Sequence, residues 1–353
     1  GSTMREWQVE KVLEDHGHGR IELVRDAWTG LTYQRTVWAP DGPLSSVVSN
    51  PNFWQALREV PGFPPMLYGE AQESSLVAIA RPVVGLSLLE ACGRIRMVEG
   101  LRLGVLLPVP VTVVVLRDVV RSLMVLEGHG YVYRALHPRW VVVDSTAERV
   151  WLTRPGCVAP LGDAAGDGSN IDLAPDGLGC LHELTPPEWS GRSWTPAWDA
   201  FAVGGLMAFC ITGQYPQRMD PSGRPVFLRR EVTALIDGAV ERLRTVQAPE
   251  LGSILEGTLR EEPQERMSLP VLHERLVGFL IRHRVSETYV WLALGRLTPA
   301  SGVPPVTYAR AWQYVRHDWA TPYKEPVPEA AAETSPPADS RPSWRRRLRD
   351  LFS

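Results

Sequence analysis

The segment Tyr131-Val-Tyr-Arg-Ala-Leu-His-Pro-Arg-Trp-Val-Val-Val-Asp144 carries most of the information about the architecture of this chain. It follows residues 115–126, whose apolar positions recur with helical spacing, and a turn at Gly128-His-Gly130. The consecutive valines at its end predict a short, buried strand. The sequence therefore predicts a helix, a glycine turn, an irregular loop and a strand in succession.

This succession resembles the catalytic loop of the protein kinase family, in which His-Arg-Asp-Leu-Lys-Pro-x-Asn precedes a short apolar strand. Arg134, Leu136 and Pro138 match the family's pattern. The similarity, to bacterial Ser/Thr kinases in particular, implies an α+β, bilobal fold. Its small lobe would be built on an antiparallel β-sheet, and its larger lobe would be mainly helical.

The positions that perform chemistry in that family hold other residues here. Ala135 stands at the position of the catalytic Asp, His137 at that of Lys and Trp140 at that of the metal-binding Asn. After a predicted strand at 150–153, Arg154 stands where the family's Asp-Phe-Gly holds magnesium. An arginine there either takes the electrostatic place of the metal or repels it, and oxygen coordination is lost. The resemblance implies a pseudokinase without a metal site or catalytic residues.

Structural positions of the family are retained. Glu188 closes Leu-Thr-Pro-Pro-Glu, which resembles Ala-Pro-Glu, and Arg266 lies in a segment that resembles the late Asp-Pro-x-x-Arg motif. The resemblance implies a buried ion pair between them. Asp199 stands near the start of an apolar helical stretch, where the resemblance implies that it caps the helix and binds backbone amides of the loop before it.

The N-terminal part of the chain has the pattern of a small β-sheet. Alternating polar and apolar residues with glycine-containing turns predict three antiparallel strands within residues 8–38. A short helix is predicted at 51–60, and two more strands at 66–69 and 76–80. The kinase small lobe has the same order of elements.

Gly17 and Gly19 resemble the first two glycines of the family's Gly-x-Gly-x-x-Gly turn, which lets backbone amides approach ATP phosphates. Glu22 stands at the third position, and a carboxylate there would repel a triphosphate. Taken alone, the two glycines indicate only an ordinary hairpin.

The family's Lys–Glu pair, which seats ATP, is replaced by Arg35 on the third strand and Trp54 on the predicted helix. Arg35 either keeps a role toward nucleotide or pairs with a nearby carboxylate. Ala80 precedes a segment that resembles the hinge, and its small side chain would leave the back of the cleft open. We expect no cofactor, with ATP binding without catalysis as the alternative. The vestigial nucleotide cleft would comprise Gly17, Gly19, Arg35, Ala80, Arg81 and Val83.

Two other segments favour structural interpretations. The apolar run 103–116 contains Pro108 and Pro110 and is shorter than the roughly 20 residues of a membrane span, so it predicts a buried loop and the start of a helix. Residues 161–179 are rich in Gly, Asp and Ser, but their irregular spacing and the lack of a closing Glu favour a flexible loop over a calcium site.

Composition bears on the class of partner and on the cellular compartment of the protein. The formal net charge of −3 gives no indication of a nucleic-acid partner. The four cysteines are scattered without Cys-x-x-Cys spacing, which favours a reducing compartment. No secretory leader is recognisable, so we expect a cytoplasmic protein.

The C-terminal part has a different character from the rest. Aromatic residues at helical spacing predict helices at 286–296 and 308–319, which either pack on the large lobe or present a docking face. Beyond them the chain is rich in Pro, Ala, Glu and Ser, which is typical of disorder. The predicted boundaries are 7–284 for the kinase-like domain, with lobes at about 7–81 and 82–284, then 285–320 for a helical extension and 321–353 for a Pro-rich linker and basic tail.

The basic tail would form an amphipathic helix, with apolar residues on one side and arginines largely on the other. This pattern indicates contact with a membrane surface or a partner's groove, or else a solvated tail. The residues expected to make that contact are Trp344, Arg345, Arg346, Leu348, Leu351 and Phe352.

The chain retains the family's structural residues but not its catalytic ones. This combination favours a non-catalytic scaffold or regulatory module for a protein partner. By resemblance, that partner would be a kinase, a phosphatase or a phosphopeptide-binding protein, and the tail would add peripheral membrane contact. The alternative is a kinase-fold enzyme with altered nucleotide-dependent group transfer. Its candidate residues are Arg35, His137, Arg154 and the pair His16 and His18.

Overall fold

The computed structural model has an α+β fold. Residues 1–320 form one compact unit and residues 321–353 a second, of which the structure describes Thr321. The residues that the structure describes are 6–15, 19–38, 51–72, 75–163, 181–190 and 193–321.

An antiparallel sheet and one helix form the N-terminal part of the first unit. They are β1 (Trp7–Asp15), β2 (Gly19–Asp26), β3 (Thr32–Trp38), α1 (Pro51–Glu59), β4 (Met66–Gln72) and β5 (Ser75–Ala80). The five strands are ordered β1-β2-β3-β5-β4, so β4 and β5 join as a hairpin on the open side of β3. The elements predicted between residues 8 and 80 are confirmed.

The remainder of the unit is mainly helical. Its helices are α2 (Leu88–Glu99), α3 (Val109–Gly128), α4 (Pro196–Thr212), α5 (Arg229–Thr245), α6 (Gly252–Thr258), α7 (Leu269–Arg282), α8 (Glu287–Gly295) and α9 (Pro305–Arg316). The apolar residues of α3 and α4 surround each helix, and helices of this kind are buried in a core. At Gly204 a Cβ would lie 1.9 Å from Thr258 Oγ1, so glycine is required where α4 approaches α6.

Short strands connect these helices. They are β6 (Leu86–Ser87), β7 (Tyr131–Val132), β8 (Val141–Asp144), β9 (Arg149–Leu152), β10 (Ala159–Pro160), β11 (Gly162–Asp163), β12 (Ser193–Trp194), β13 (Arg218–Met219) and β14 (Pro225–Val226). The predicted hairpin through residues 145–149 joins β8 to β9, and β6 pairs with β8. The segment 131–144 therefore runs from β7 to β8 within the core.

Helix α3 begins earlier than the sequence predicted. It starts at Val109 with Pro108 at the N-cap and Pro110 in the first turn, where proline is tolerated because the amides there lack partners within the helix. The apolar run 103–116 thus leads into a buried helix, as predicted. None of the helices within the described ranges is both long and apolar enough to cross a membrane.

Helix α2 was not predicted, because the sequence was interpreted as hinge up to Leu88. The Ser87 side chain accepts a hydrogen bond of 3.0 Å from the Glu90 amide and caps the helix. Cys92 and Ile95 then face the core at helical spacing. The cap and this spacing are the signals that the sequence contained.

Helices α8 and α9 confirm the predicted C-terminal helices. Ser286 caps α8 by accepting a hydrogen bond from the Tyr289 amide. The Trp312 indole donates to Glu99 Oε1 over 2.7 Å, which ties α9 to the end of α2. Both helices also contact α3. The extension therefore packs on the helical part of the unit, as one of its two interpretations required.

Candidate functional site

The loop between β7 and β8 is held by a carboxylate from α4. Asp199 accepts hydrogen bonds from the amides of Tyr133, over 2.8 Å, and Arg134, over 3.0 Å. Arg134 has a φ of 66°, and these bonds stabilise its left-handed backbone. Burial raises the pKa of Asp199 to about 6, although both amides act in the opposite direction. The predicted amide contacts are confirmed, but Thr195, not Asp199, is the N-cap residue.

Arg134 also forms hydrogen bonds with two other segments, one at Cys157 and one at His182. Its Nε donates to the Cys157 carbonyl over 2.8 Å, and its own carbonyl accepts from His182 Nε2 over 3.1 Å. His182 Nδ1 accepts from the Leu184 amide, so the ring is a neutral donor at Nε2. Burial, followed by the nearby His137, lowers the pKa of His182 to about 3. His182 is thus a structural link, which the sequence analysis did not identify.

His137 is enclosed by the protein. Its Nδ1 accepts from the Arg139 amide, and its Nε2 donates to Glu183 over 2.9 Å. The Tyr215 ring stacks on it with centroids 5.3 Å apart. The hydrogen bond from His137 lowers the pKa of Glu183 to about 2. With 1% of its surface exposed, His137 is buried, and both of its ring nitrogens are hydrogen-bonded within the protein.

Trp140 and Arg154, which stand at the positions of the metal-binding residues in the resemblance, contact each other. The Arg154 guanidinium carbon lies 3.7 Å from the centroid of a Trp140 ring, which is a close cation–π contact. Arg154 Nη2 also pairs with Glu14 Oε1 over 2.8 Å. Trp140, Arg154 and Ala135 are all buried, and the methyl side chain of Ala135 offers no functional group. The contact with Glu14 joins this layer to β1 of the sheet.

The backbone around Arg154 is fixed as well. The Tyr133 hydroxyl accepts from the Arg154 amide over 3.0 Å. Burial raises the pKa of this hydroxyl well above its usual value. Thr153 Oγ1 donates to the Trp140 carbonyl over 2.9 Å. Trp140 and Arg154 are therefore positioned by their main chains in addition to their mutual contact.

Arg35 has a partner on the neighbouring strand. Its Nε and Nη2 donate to Glu22 Oε2 over 2.9 and 2.6 Å, and Arg20 Nε lies 2.5 Å from Glu22 Oε1. Glu22 and Arg35 are paired across β2 and β3, and Glu22 is 1% exposed. Of the two interpretations left open for Arg35, the structure shows the ion pair. The carboxylate that the sequence analysis expected to repel a triphosphate is neutralised by two arginines.

Helix α1 does not supply the partner of Arg35. Trp54, at the position assigned to the family's Glu, packs against Phe53 with ring centroids 5.3 Å apart. Glu59, the acid nearest in sequence, pairs with His129 Nε2 over 2.6 Å. This contact joins the end of α1 to the end of α3. The acidic residue of the Arg35 pair therefore comes from the sheet itself.

Ala80, which the resemblance places at the back of a nucleotide cleft, lines a small cavity. A cavity of about 30 Å³ remains beside Ala80, walled by Leu57, Phe63 and Met66 among others. One water takes up about 30 Å³, and ligand sites typically occupy about 300–1,000 Å³. Apolar side chains therefore surround the small space beside Ala80.

The other described residues that were assigned to the nucleotide cleft are Gly19, Arg81 and Val83. Val83 is partly buried and Arg81 exposed, and the Arg81 amide donates to the Pro65 carbonyl over 3.4 Å. Gly19 is the first residue of β2. Among the residues that the structure describes, no cluster of three or more His, Cys, Asp or Glu side chains could hold a metal.

Other predicted residues fall outside the described ranges. These are Gly17, His16 and His18, most of the loop 161–179, the linker, and the tail residues Trp344, Arg345, Arg346, Leu348, Leu351 and Phe352.

The predicted ion pair between Glu188 and Arg266 is confirmed. Two guanidinium nitrogens of Arg266 contact the two carboxylate oxygens at 2.5 and 2.7 Å, which is bidentate geometry. The Arg266 side chain is fully buried. It also donates to the carbonyls of Arg260, Glu261 and Ala197. One arginine thus connects three separate stretches of the chain.

Comparison with known proteins does not assign this chain to a family. Neither models of protein families nor curated proteins give a significant match to this sequence. The function must therefore be argued from the side chains themselves.

Glu14, like His182, is a residue of this site that sequence reasoning missed. It lies at the end of β1, an exposed edge strand whose polar residues show no distinguishing pattern. A buried arginine at position 154 required an acidic partner, but the partner's position depends on how the sheet sits over the 131–154 region. The sequence therefore indicated that Arg154 needs an acidic partner, but it did not indicate which residue supplies it.

Proposed function

We propose that the chain is a protein-kinase-like pseudokinase that acts as a binding module for a protein partner. The observation that carries the proposal is the stacking of Arg154 on Trp140 together with its ion pair to Glu14. These side chains occupy the space where magnesium and phosphates would have to lie. A nucleotide would need to separate a buried cation from both of its partners.

The framework supports the kinase-like part of the proposal. The sheet order β1-β2-β3-β5-β4, with a helix between β3 and β4, agrees with the small lobe implied by the resemblance. The contacts of Asp199 and the Glu188–Arg266 pair agree with its large lobe. In the proposed assembly the partner is a kinase, a phosphatase or a phosphopeptide-binding protein. The setting is the cytoplasm, with peripheral membrane contact through the tail.

Altered group transfer on the same framework is the competing function. Three of its candidate residues, Arg35, His137 and Arg154, are engaged with Glu22, Glu183 and Glu14 respectively. Each of these side chains therefore already has a carboxylate partner within the protein. No observation on the described residues favours this alternative.

Incubation with labelled ATP distinguishes the two functions. The full chain is mixed with a general protein substrate and divalent metal, using ATP labelled at the γ-phosphate in one series and at the α-phosphate in another. We expect no incorporation from either label, because the described residues include no catalytic Asp or metal ligand at the positions that match the family's motifs. Incorporation that disappears in Arg154→Met would contradict the proposal, whereas incorporation that persists in that variant identifies a contaminating kinase.

A further inference from the structure

A larger cavity lies in the helical part of the unit, away from the residues discussed so far. Its volume is about 250 Å³, and its walls come from the connection between α2 and α3, the end of α5 and the end of α9. A volume near 250 Å³ is below the range of about 300–1,000 Å³ for drug-sized ligands. The cavity therefore suits a small polar group such as a phosphate ester.

The charged residues that line this cavity are all basic. Arg102, Arg316 and His317 contribute to its walls, Thr245 and Gln247 add polar groups, and no Asp or Glu lines it. Two arginines on one concave surface contribute a positive potential, which low-dielectric walls concentrate. An anion is the ligand that this arrangement favours.

The basic side chains of this cavity are only partly paired with acceptors from the protein. The Glu99 carboxylate lies 3.5 Å from Arg316 Nη2 and already accepts from the Trp312 indole. Arg316 Nε is buried and has no hydrogen-bond partner within the described residues. Arg102 and His317 are exposed. A bound anion would supply acceptors that the described part of the protein does not provide.

Apolar side chains are exposed beside the cavity. Met97 is 88% exposed, and Leu101, which directly precedes Arg102, is 80% exposed. Val98 between them is 58% exposed. Isolated exposed apolar residues are ordinary, but several at the end of one helix next to basic side chains match the boundary of a bilayer, where acyl chains meet phosphate.

We propose that this cavity binds a phosphate ester, and that the exposed Met97 and Leu101 favour a phospholipid headgroup as its source. The guanidinium groups of Arg102 and Arg316 bind the phosphate oxygens through charge-assisted hydrogen bonds, and His317 adds a further donor. The apolar side chains enter the acyl region. This site does not depend on the kinase-like assignment, since none of its residues belongs to the cleft.

The test uses the full chain and two probes that separate the sources. Glycerol 3-phosphate, titrated by calorimetry, reports a soluble phosphate ester. Vesicles of phosphatidylcholine with and without phosphatidic acid, sedimented with the protein, report a lipid. The cavity variant is the double substitution Arg102→Glu and His317→Glu. The matched control is Arg310→Glu, which reverses an exposed charge on α9 outside the cavity lining.

We expect binding of at least one probe, weakened about tenfold or more in the cavity variant and unchanged in the control, because charge-assisted hydrogen bonds are lost. Vesicle binding that also weakens in Leu101→Asp assigns the site to lipid. Binding of glycerol 3-phosphate without selective vesicle binding assigns it to a soluble ester. Failure of both probes, or binding that the cavity variant leaves unchanged, overturns the proposal. Far-ultraviolet circular dichroism verifies that the exposed substitutions leave the fold intact.

Discussion

Replacement of Glu188 by leucine is expected to lower the free energy of unfolding by about 3–5 kcal/mol, because it leaves the fully buried Arg266 guanidinium without its counter-ion. The guanidinium cannot escape by losing its proton, since arginine remains charged in proteins. Its three carbonyl contacts hold it in place, so it cannot swing out to solvent without abandoning them. Urea denaturation followed by intrinsic fluorescence measures the change.

The control for this variant is Glu231→Leu. Glu231 pairs with Arg218 over 2.7 Å, but both side chains are exposed, so its loss should cost less than about 1 kcal/mol. Equal losses in the two variants would show that Glu188 does not act through a buried ion pair.

Replacement of Trp140 by alanine is expected to cost about 3–5 kcal/mol, the usual range for a buried large aromatic residue. The ring is 7% exposed and lies between Arg154 and the two histidines His137 and His182. Without it, Arg154 loses the face on which it stacks. We therefore also expect faster hydrogen exchange in β1, because the Arg154–Glu14 pair that connects β1 to the helical part is loosened.

The same substitution at Trp28, which is 74% exposed, provides the comparison. Trp28→Ala should change stability by less than about 0.5 kcal/mol and leave exchange in β1 unaltered. If Trp140→Ala destabilises no more than Trp28→Ala, the indole does not fill the cleft as described.

Local signals in the sequence predicted much of the fold. The strands of the sheet, α1, α8 and α9 follow from alternation, helical spacing and capping residues. The Glu188–Arg266 pair was anticipated because the resemblance fixed both partners. The end of α3 was predicted, but its start was not, since prolines within an apolar run were taken as a loop although they are acceptable in a first turn.

The contents of the cleft could be predicted only in part. The resemblance implied that Ala135, Trp140 and Arg154 stand at positions of catalytic and metal-binding residues. Which carboxylate would neutralise Arg154 was not, because the pair with Glu14 depends on the packing of the sheet against the helical part. Local pattern determines element type, whereas contacts between distant elements determine what a cleft can hold.

Nucleotide binding to the full chain is the decisive measurement. Calorimetric titration with ATP and ADP, each with and without Mg²⁺, should give no saturable heat, and neither nucleotide should raise the melting temperature, because a ligand that binds only the native state would stabilise it. Saturable binding that Ala80→Leu abolishes would contradict this result. It would mean that Arg154 leaves Trp140 and Glu14 to admit the nucleotide and that the cleft is a working site.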